Sequence, residues 1–114
     1  MSKLLGIELP AAHAGNYLGV FRATSYCPCY SCSEGYGRST SSGAIATQGR
    51  TIAVDPRVVP IGTWVYVEFP GNFSKYNGKY HAEDVGGGVK GKHIDVYFDG
   101  HGKLGSIKVK VYRI

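Results

Sequence analysis

Three of the aspartates in this chain, Asp55, Asp84 and Asp95, sit in short motifs suited to acid–base chemistry: "TIAVDP", "HAEDVGGG" and "KHIDVYF". Carboxylates brought close together cannot all ionise cheaply, so one pKa rises and leaves a protonated acid near neutral pH. Glycosidic bond cleavage needs a group of that kind. Taken singly, an aspartate at the end of a strand more often caps a turn. A second chemistry competes for the same stretch. Gly86, Gly88 and Gly91 have the Gly-x-Gly-x-x-Gly spacing of a dinucleotide loop, which requires a helix after it whose N-terminus holds the pyrophosphate. Here the glycines lead into "KHIDVYF", which alternates as a strand, and "VKGK" lacks the Ser/Thr of a P-loop. The phosphate reading fails, and no cofactor is expected.

"CPCYSC" holds the three cysteines, Cys27, Cys29 and Cys32. One disulfide, Cys27–Cys32 or Cys29–Cys32, would leave a free thiol. Zinc would need a fourth ligand from His13, His81, His93 or His101, and none lies at finger spacing. A nucleophilic cysteine would need a partner histidine that the sequence does not place. Disulfide or free thiols is the favoured reading, and no metal is assigned to the site.

Positioning these groups falls to strands. Period-two alternation marks 19–27, 50–55, 63–69, 79–84, 92–98 and 106–114, all rich in Val, Ile and Tyr. Val20, Arg22, Thr24 and Tyr26 share one face of the first, with Phe21, Ala23 and Ser25 on the other. In the fifth, Asp95 lies with His93 and Tyr97, while Ile94, Val96 and Phe98 face the core. His93 then reads as a surface or cleft contact rather than a catalytic base. Pro60-Ile61-Gly62, Pro70-Gly71-Asn72, Asn77-Gly78 and Asp99-Gly100 supply turns between strands. Six short strands favour a small closed barrel, because closure removes exposed edges. Asp55, Asp84 and Asp95 are then expected at one mouth of that barrel. The Ser/Gly/Cys-rich segment from Cys27 to Gly49 has no periodicity, and such a long loop is usually functional or cross-linked.

At 114 residues, 43% of them apolar, the chain is one folded domain. No apolar run is long enough for a transmembrane helix. The formal charge of +5 suits an anionic partner, but the basic residues are scattered, which argues against nucleic acid. "MSKLLGIELPAAHAG" imitates a signal peptide, yet Glu8 and Pro10 interrupt its apolar part. Residues 1–19 read as an N-terminal arm, or the edge of a larger protein, and 20–114 as the domain.

"TIAVDPRVVPIGTWVYVE", "AEDVGGGVKGKHIDVYF" and the closing "KVKVYRI" together resemble the 3D domain, named for its three aspartates. That domain occurs in stationary-phase survival and resuscitation-type proteins and in the catalytic barrel of MltA-type lytic transglycosylases. "ATSYCPCYSCSEGYGRSTSSG" is similar to the family's opening segment. The resemblance implies an all-β, six-stranded double-psi barrel that cleaves the MurNAc–GlcNAc bond of peptidoglycan glycan strands without water. Asp95 would be the single general acid/base, forming a 1,6-anhydromuramyl end, with Asp84 and Asp55 orienting it. Thr40, Gly43, Gly87, Gly88 and Tyr26 would meet the glycan, although Tyr26 also reads as simply packed. Gly86, Gly87 and Gly88 would allow a backbone path closed to larger residues. Gly88 stands where family members often have Ala. An extracellular or cell-wall location is implied, with a phage particle as one route of delivery. The competing reading is a non-catalytic polysaccharide-binding or protease-inhibitor barrel, disfavoured because a binding module has no need of a paired acid site.

Overall fold

The computed structural model describes residues 16–29 and 35–114. Its strands are β1 (Asn16–Tyr26), β2 (Thr51–Val54), β3 (Trp64–Glu68), β4 (Gly78–Asp84), β5 (His93–Tyr97) and β6 (Ile107–Arg113). They close into one barrel in the order β1-β5-β2-β4-β3-β6. The pairs β1/β5 and β2/β4 are parallel and the others antiparallel. Every strand has two partners, so no edge is left to recruit another chain. Among the described residues no helix is long and apolar enough to cross a membrane.

Alternation fills the barrel. Phe21 and Ala23, Ile52 and Val54, Val65 and Val67, Ile94 and Val96, and Val109 and Val111 point inward, with Tyr80 and Ala82 from β4. Each fully buried Val, Ile or Phe side chain contributes about 1.5–3 kcal/mol relative to an exposed one. Cutting Ile52 to Ala would cost about 2–5 kcal/mol, since a closed barrel collapses poorly around a hole.

The outer face of one wall is covered as well. Tyr26, Ala53 and Tyr97, which face away from the barrel interior, form a second small core with Ala46 and Val89. Ala46 comes from the long segment after β1 and Val89 from the glycine loop. That cover explains why all four residues of β2 are buried; a strand covered on both faces loses its alternation.

Three boundaries differ from the sequence reading. β1 begins at Asn16, inside the segment read as an arm, because Asn16 and Tyr17 pair with Arg113 and Tyr112 of β6. The turn at Pro70-Gly71-Asn72 continues as a 3-10 helix, Gly71–Tyr76, whose Phe73 and Tyr76 pack on the core. Asn77 closes that helix by donating its N–H to the Ser74 carbonyl at 3.0 Å, and its Oδ1 accepts the Phe69 N–H at 2.6 Å, so Asn77-Gly78 is a helix exit rather than a hairpin turn. The third difference lies in β4. Its pairing with β2 is regular at Ile52↔Ala82, then slips so that Ala53 meets Asp84. Tyr80 and Ala82 face the interior, and strict alternation would send Asp84 there too. The bulge at Glu83 turns it onto the outer wall.

Candidate functional site

Register across four neighbouring strands sets one row on that wall. Thr24 pairs with Asp95, Asp95 with Ala53, and Ala53 with Asp84. Two strand spacings put the Asp84 and Asp95 backbones about 10 Å apart. The methyl of Ala53 between them leaves the gap open. Above the row lies a cleft of about 560 Å³, a size that suits a small ligand or a few sugar rings. The carboxylates therefore meet on the barrel's flank and not at its mouth, because Asp95 sits in the middle of β5 with its neighbours Ile94 and Val96 in the core.

Asp95 is half-buried, and burial holds its carboxyl above the ordinary aspartate range; the Asp84 charge pushes the same way. A hydrogen bond from Thr24 and the charge of Arg22 oppose that rise without cancelling it. Thr24 Oγ1 lies 2.9 Å from Asp95 Oδ1 and 2.8 Å from His93 Nε2. One hydroxyl proton serves both contacts. With Asp95 ionised, Thr24 donates to it and accepts from the ring N–H. With Asp95 protonated, the carboxyl donates to Thr24, which then donates to the ring nitrogen. Burial and the nearby Arg22 charge depress the His93 pKa, favouring the neutral ring this second arrangement uses.

Asp84 is built differently, as a carboxylate that only accepts. Its Oδ1 takes the Ser41 and Val85 N–H groups at 3.0 and 2.9 Å, and its Oδ2 takes the Tyr26 hydroxyl at 3.3 Å. The Ser41 bond also docks the roof. Ser42 N–H reaches the Glu83 carbonyl at 3.2 Å, and the Arg38 guanidinium holds the Ala46 carbonyl. Beneath the roof Glu83 accepts from Thr51 and pairs with Arg50 and His81. Burial pushes its carboxyl up, but those partners outweigh it and leave the pKa below the ordinary value. The long aperiodic segment is thus a wall of the cleft, supplying Tyr36, Gly37, Ser39, Thr40 and Ser41.

Asp55 is not brought into the cleft. It comes directly after β2, nearly fully buried, and is tied on every side. Its oxygens accept from the Arg57 Nε and Nη2 at 3.1 and 2.9 Å, the Arg57 backbone N–H at 3.0 Å and the Gly91 N–H at 2.8 Å. The Arg57 side chain, then these backbone donors, hold its carboxyl far below the usual range. The expected cluster of three carboxylates is a pair, Asp84 and Asp95, with Asp55 anchoring the end of the glycine loop.

The remaining sequence candidates divide. Gly87 and Gly88 line the cleft, and a Cβ added at either meets nothing within 4 Å. Neither has positive φ; in this loop that belongs to Gly91 at +67°. The idea that Gly86, Gly87 and Gly88 all follow a path closed to other residues is corrected: Gly87 and Gly88 leave space, while a Cβ at Gly86 would meet Val89 Cγ2 at 3.0 Å. Thr40 lines the cleft, with its hydroxyl committed to the Ala44 carbonyl at 2.6 Å. Gly43 lies outside it, at φ +93° in the turn that this bond closes. Tyr26 lines the cleft but is packed, edge-on against Tyr97 at 5.4 Å between ring centres. Tyr36, which sequence reasoning passed over, lines the cleft at 70% exposure and is the ring available for stacking. Thr24 was also missed, although alternation already put it on one face of its strand with Tyr26. His93 is a buried cleft residue, not a surface one. Of the cysteines, Cys27 and Cys29 lie beside His101, away from the aspartate row, and Cys32 is outside the described residues.

Comparison with known proteins finds relatives in both sequence and fold. The chain is 39% identical over 64 residues to membrane-bound lytic murein transglycosylase A of Escherichia coli, covering 49% of this chain and 18% of that protein. It is 46% identical over 48 residues to the cell wall-binding protein YocH of Bacillus subtilis, covering 42% and 14%. This chain therefore matches less than a fifth of either relative's length. The crystal structure of Escherichia coli MltA with bound chitohexaose superposes with a TM-score of 0.57 at 24% identity, over 66% of this chain and 27% of that one. The fold is accordingly the six-stranded double-psi barrel expected from the sequence. The model of the 3D domain matches residues 50–111, more than half of the chain and all of the Asp55, Asp84 and Asp95 motifs, so the protein belongs to the 3D domain family.

Proposed function

We propose that this protein is a peptidoglycan lytic transglycosylase, cleaving between MurNAc and GlcNAc with Asp95 as its one general acid/base. The observation that carries this reading is the pairing, across one cleft, of a half-buried carboxyl of raised pKa with a carboxyl group that accepts three hydrogen bonds. Protonated Asp95 gives its proton to the glycosidic oxygen as the C1–O bond breaks, and the ring oxygen shares the positive charge left on C1. Asp84, fixed as an acceptor, faces that charge. Asp95, now a carboxylate, takes the proton from the muramyl C6 hydroxyl. The C6 oxygen closes on C1, giving the 1,6-anhydro ring and restoring the acid. Proton count balances on one carboxyl, so no second catalytic base is required.

Glycan strands of the cell wall are then the partner. Gly87 and Gly88 give them room, Tyr36 offers a ring face, and a net charge of +5 favours an anionic wall. The place of action is the wall or the extracellular side. Digestion of purified peptidoglycan, with the products identified by mass spectrometry, tests the reaction. Anhydromuropeptides, lost in Asp95→Asn, are expected. Products carrying an added water would make the protein a hydrolase. Binding without any cleavage would make it a wall-binding module.

A further inference from the structure

A second cluster lies apart from the aspartate row. Cys27 comes immediately after β1, Cys29 is two residues on, and His101 lies in the connection from β5 to β6. The strands β1 and β5 are parallel neighbours, paired through Tyr26↔Tyr97, so their exits lie side by side. Phe98 N–H to the Tyr26 carbonyl at 2.8 Å extends that pairing, and Leu104 N–H reaches Ser25 Oγ at 3.1 Å. The result is a convergence of donors from two segments more than 70 residues apart in sequence. Cys27 Sγ and Cys29 Sγ lie 3.5 and 3.8 Å from His101 Nδ1 and 3.0 Å from each other.

From this geometry we infer a structural zinc site formed by Cys27, Cys29 and His101. Zn–S bonds of about 2.3 Å and Zn–N bonds of about 2.0 Å at tetrahedral angles separate sulfur from nitrogen by about 3.5 Å, and sulfur from sulfur by about 3.8 Å. Both sulfur–nitrogen distances already meet that requirement. The two sulfurs need to open by less than an ångström, which is within reach of a Cys-x-Cys pair on a loop. Two thiolates and an imidazole are a donor set for zinc rather than magnesium or calcium. Cys27 is only 3% exposed, a setting that suits a buried ligand better than a nucleophile. A fourth position is left for a further ligand. Cys32 is close enough in sequence to be considered, but it lies outside the described residues and the site is defined without it.

The ion would act through the roof of the cleft. The chain that leaves Cys29 goes on to supply Tyr36, Ser39 and Ser41 to the cleft wall. A metal joining its start to the β5–β6 connection would fix that wall at its root, as the Ser41–Asp84 bond fixes its far side. Binding would release the two thiol protons.

The test uses the full chain purified under reducing conditions, with metal content measured by mass spectrometry. About one zinc per chain is expected. Removal by a chelator should lower the thermal midpoint, and added Zn²⁺ but not Mg²⁺ should restore it. His101→Ala should lose the metal while keeping its far-UV spectrum, since His101 is exposed and contributes nothing to the core. Cobalt reconstitution of the unaltered chain gives an independent reading through its thiolate-to-metal absorption band, which tetrahedral Cys/His ligation requires. Any of three results would overturn the site. These are no stoichiometric zinc after reconstitution, zinc retained unchanged in His101→Ala, or a disulfide at Cys27 or Cys29 in non-reducing peptide maps of the native protein.

Discussion

Asp55, just past the end of β2, and Asp95, within its partner β5, are one residue type in one family motif set, and the fold treats them in opposite ways. Asp55 has four donors around it, including a guanidinium two residues along, and its charge is fixed. Asp95 has one hydroxyl donor and a half-buried setting, so its charge is costly and its pKa is raised. Their stability contributions run in opposite directions with pH. The folded Asp55 pKa is depressed, so its contribution is present above the unfolded value of about 3.9 and is lost as pH falls through the folded pKa. The folded Asp95 pKa is raised, so its contribution is complete below that unfolded value and is lost as pH rises through the folded pKa. A carboxylate becomes a lock or a reagent according to how many donors the backbone aims at it.

The sharpest way to break this contrast is to remove each carboxyl in turn. Asp95→Asn should lower peptidoglycan cleavage by about 10²–10⁴-fold, the range for loss of a general acid/base. Its melting temperature at neutral pH should be unchanged or higher, because a buried carboxyl that resists ionisation has been replaced by a neutral isostere. Asp55→Ala should do the reverse. It leaves the Gly91 N–H without its acceptor, so thermal stability should fall while the anhydro product stays the same at a modestly reduced rate. Turnover assays and thermal melts on both variants decide the matter. An Asp55→Ala protein that melts normally yet loses activity as fully as Asp95→Asn would end the distinction.

The strands behind both residues were legible because inward positions of a barrel must be apolar, and six alternating runs announce themselves. Ile94, Val96 and Phe98 fall where alternation puts them, in the core. The location of the site was not legible in that way. Asp84 reaches the outer wall only through the bulge at Glu83, and one slipped residue leaves no compositional trace. The destiny of Asp55 depends on Arg57 and on a distant Gly91 N–H, and nothing in "VDPRVV" separates that ion pair from a solvated arginine. The roof was visible only as an absence of periodicity, since its order comes from scattered bonds such as Ser41 to Asp84 and Arg38 to Ala46. His101 shares no spacing rule with Cys27, because parallel strands far apart in sequence bring them together.

Smaller effects should separate the two influences on Asp95 itself. Asp84→Asn removes a negative charge that raises the Asp95 pKa, so the basic limb of the cleavage profile should move to lower pH. Thr24→Val removes a donor that lowers that pKa, so the same limb should move to higher pH. A pH–rate series on the two variants measures both shifts. Movement in a common direction would mean that Asp95 is not the group being titrated.

The smallest change tests the empty side of the site. Gly87 and Gly88 have ordinary φ values and open space where a side chain would go, so neither is required for the loop to take its shape. Gly88→Ala should then leave melting temperature and cleavage nearly as they are. Gly87→Leu should also fold normally, but its side chain projects into the cleft, and the apparent affinity for glycan should weaken by a few fold with little change in the chemical step. Uniform loss of binding raises KM and spares kcat, whereas a disturbed Asp95 would lower kcat. If Gly87→Leu instead melts early, the glycine serves the backbone after all. The loop would then belong with Asp55 as scaffold rather than with Asp95 as working surface.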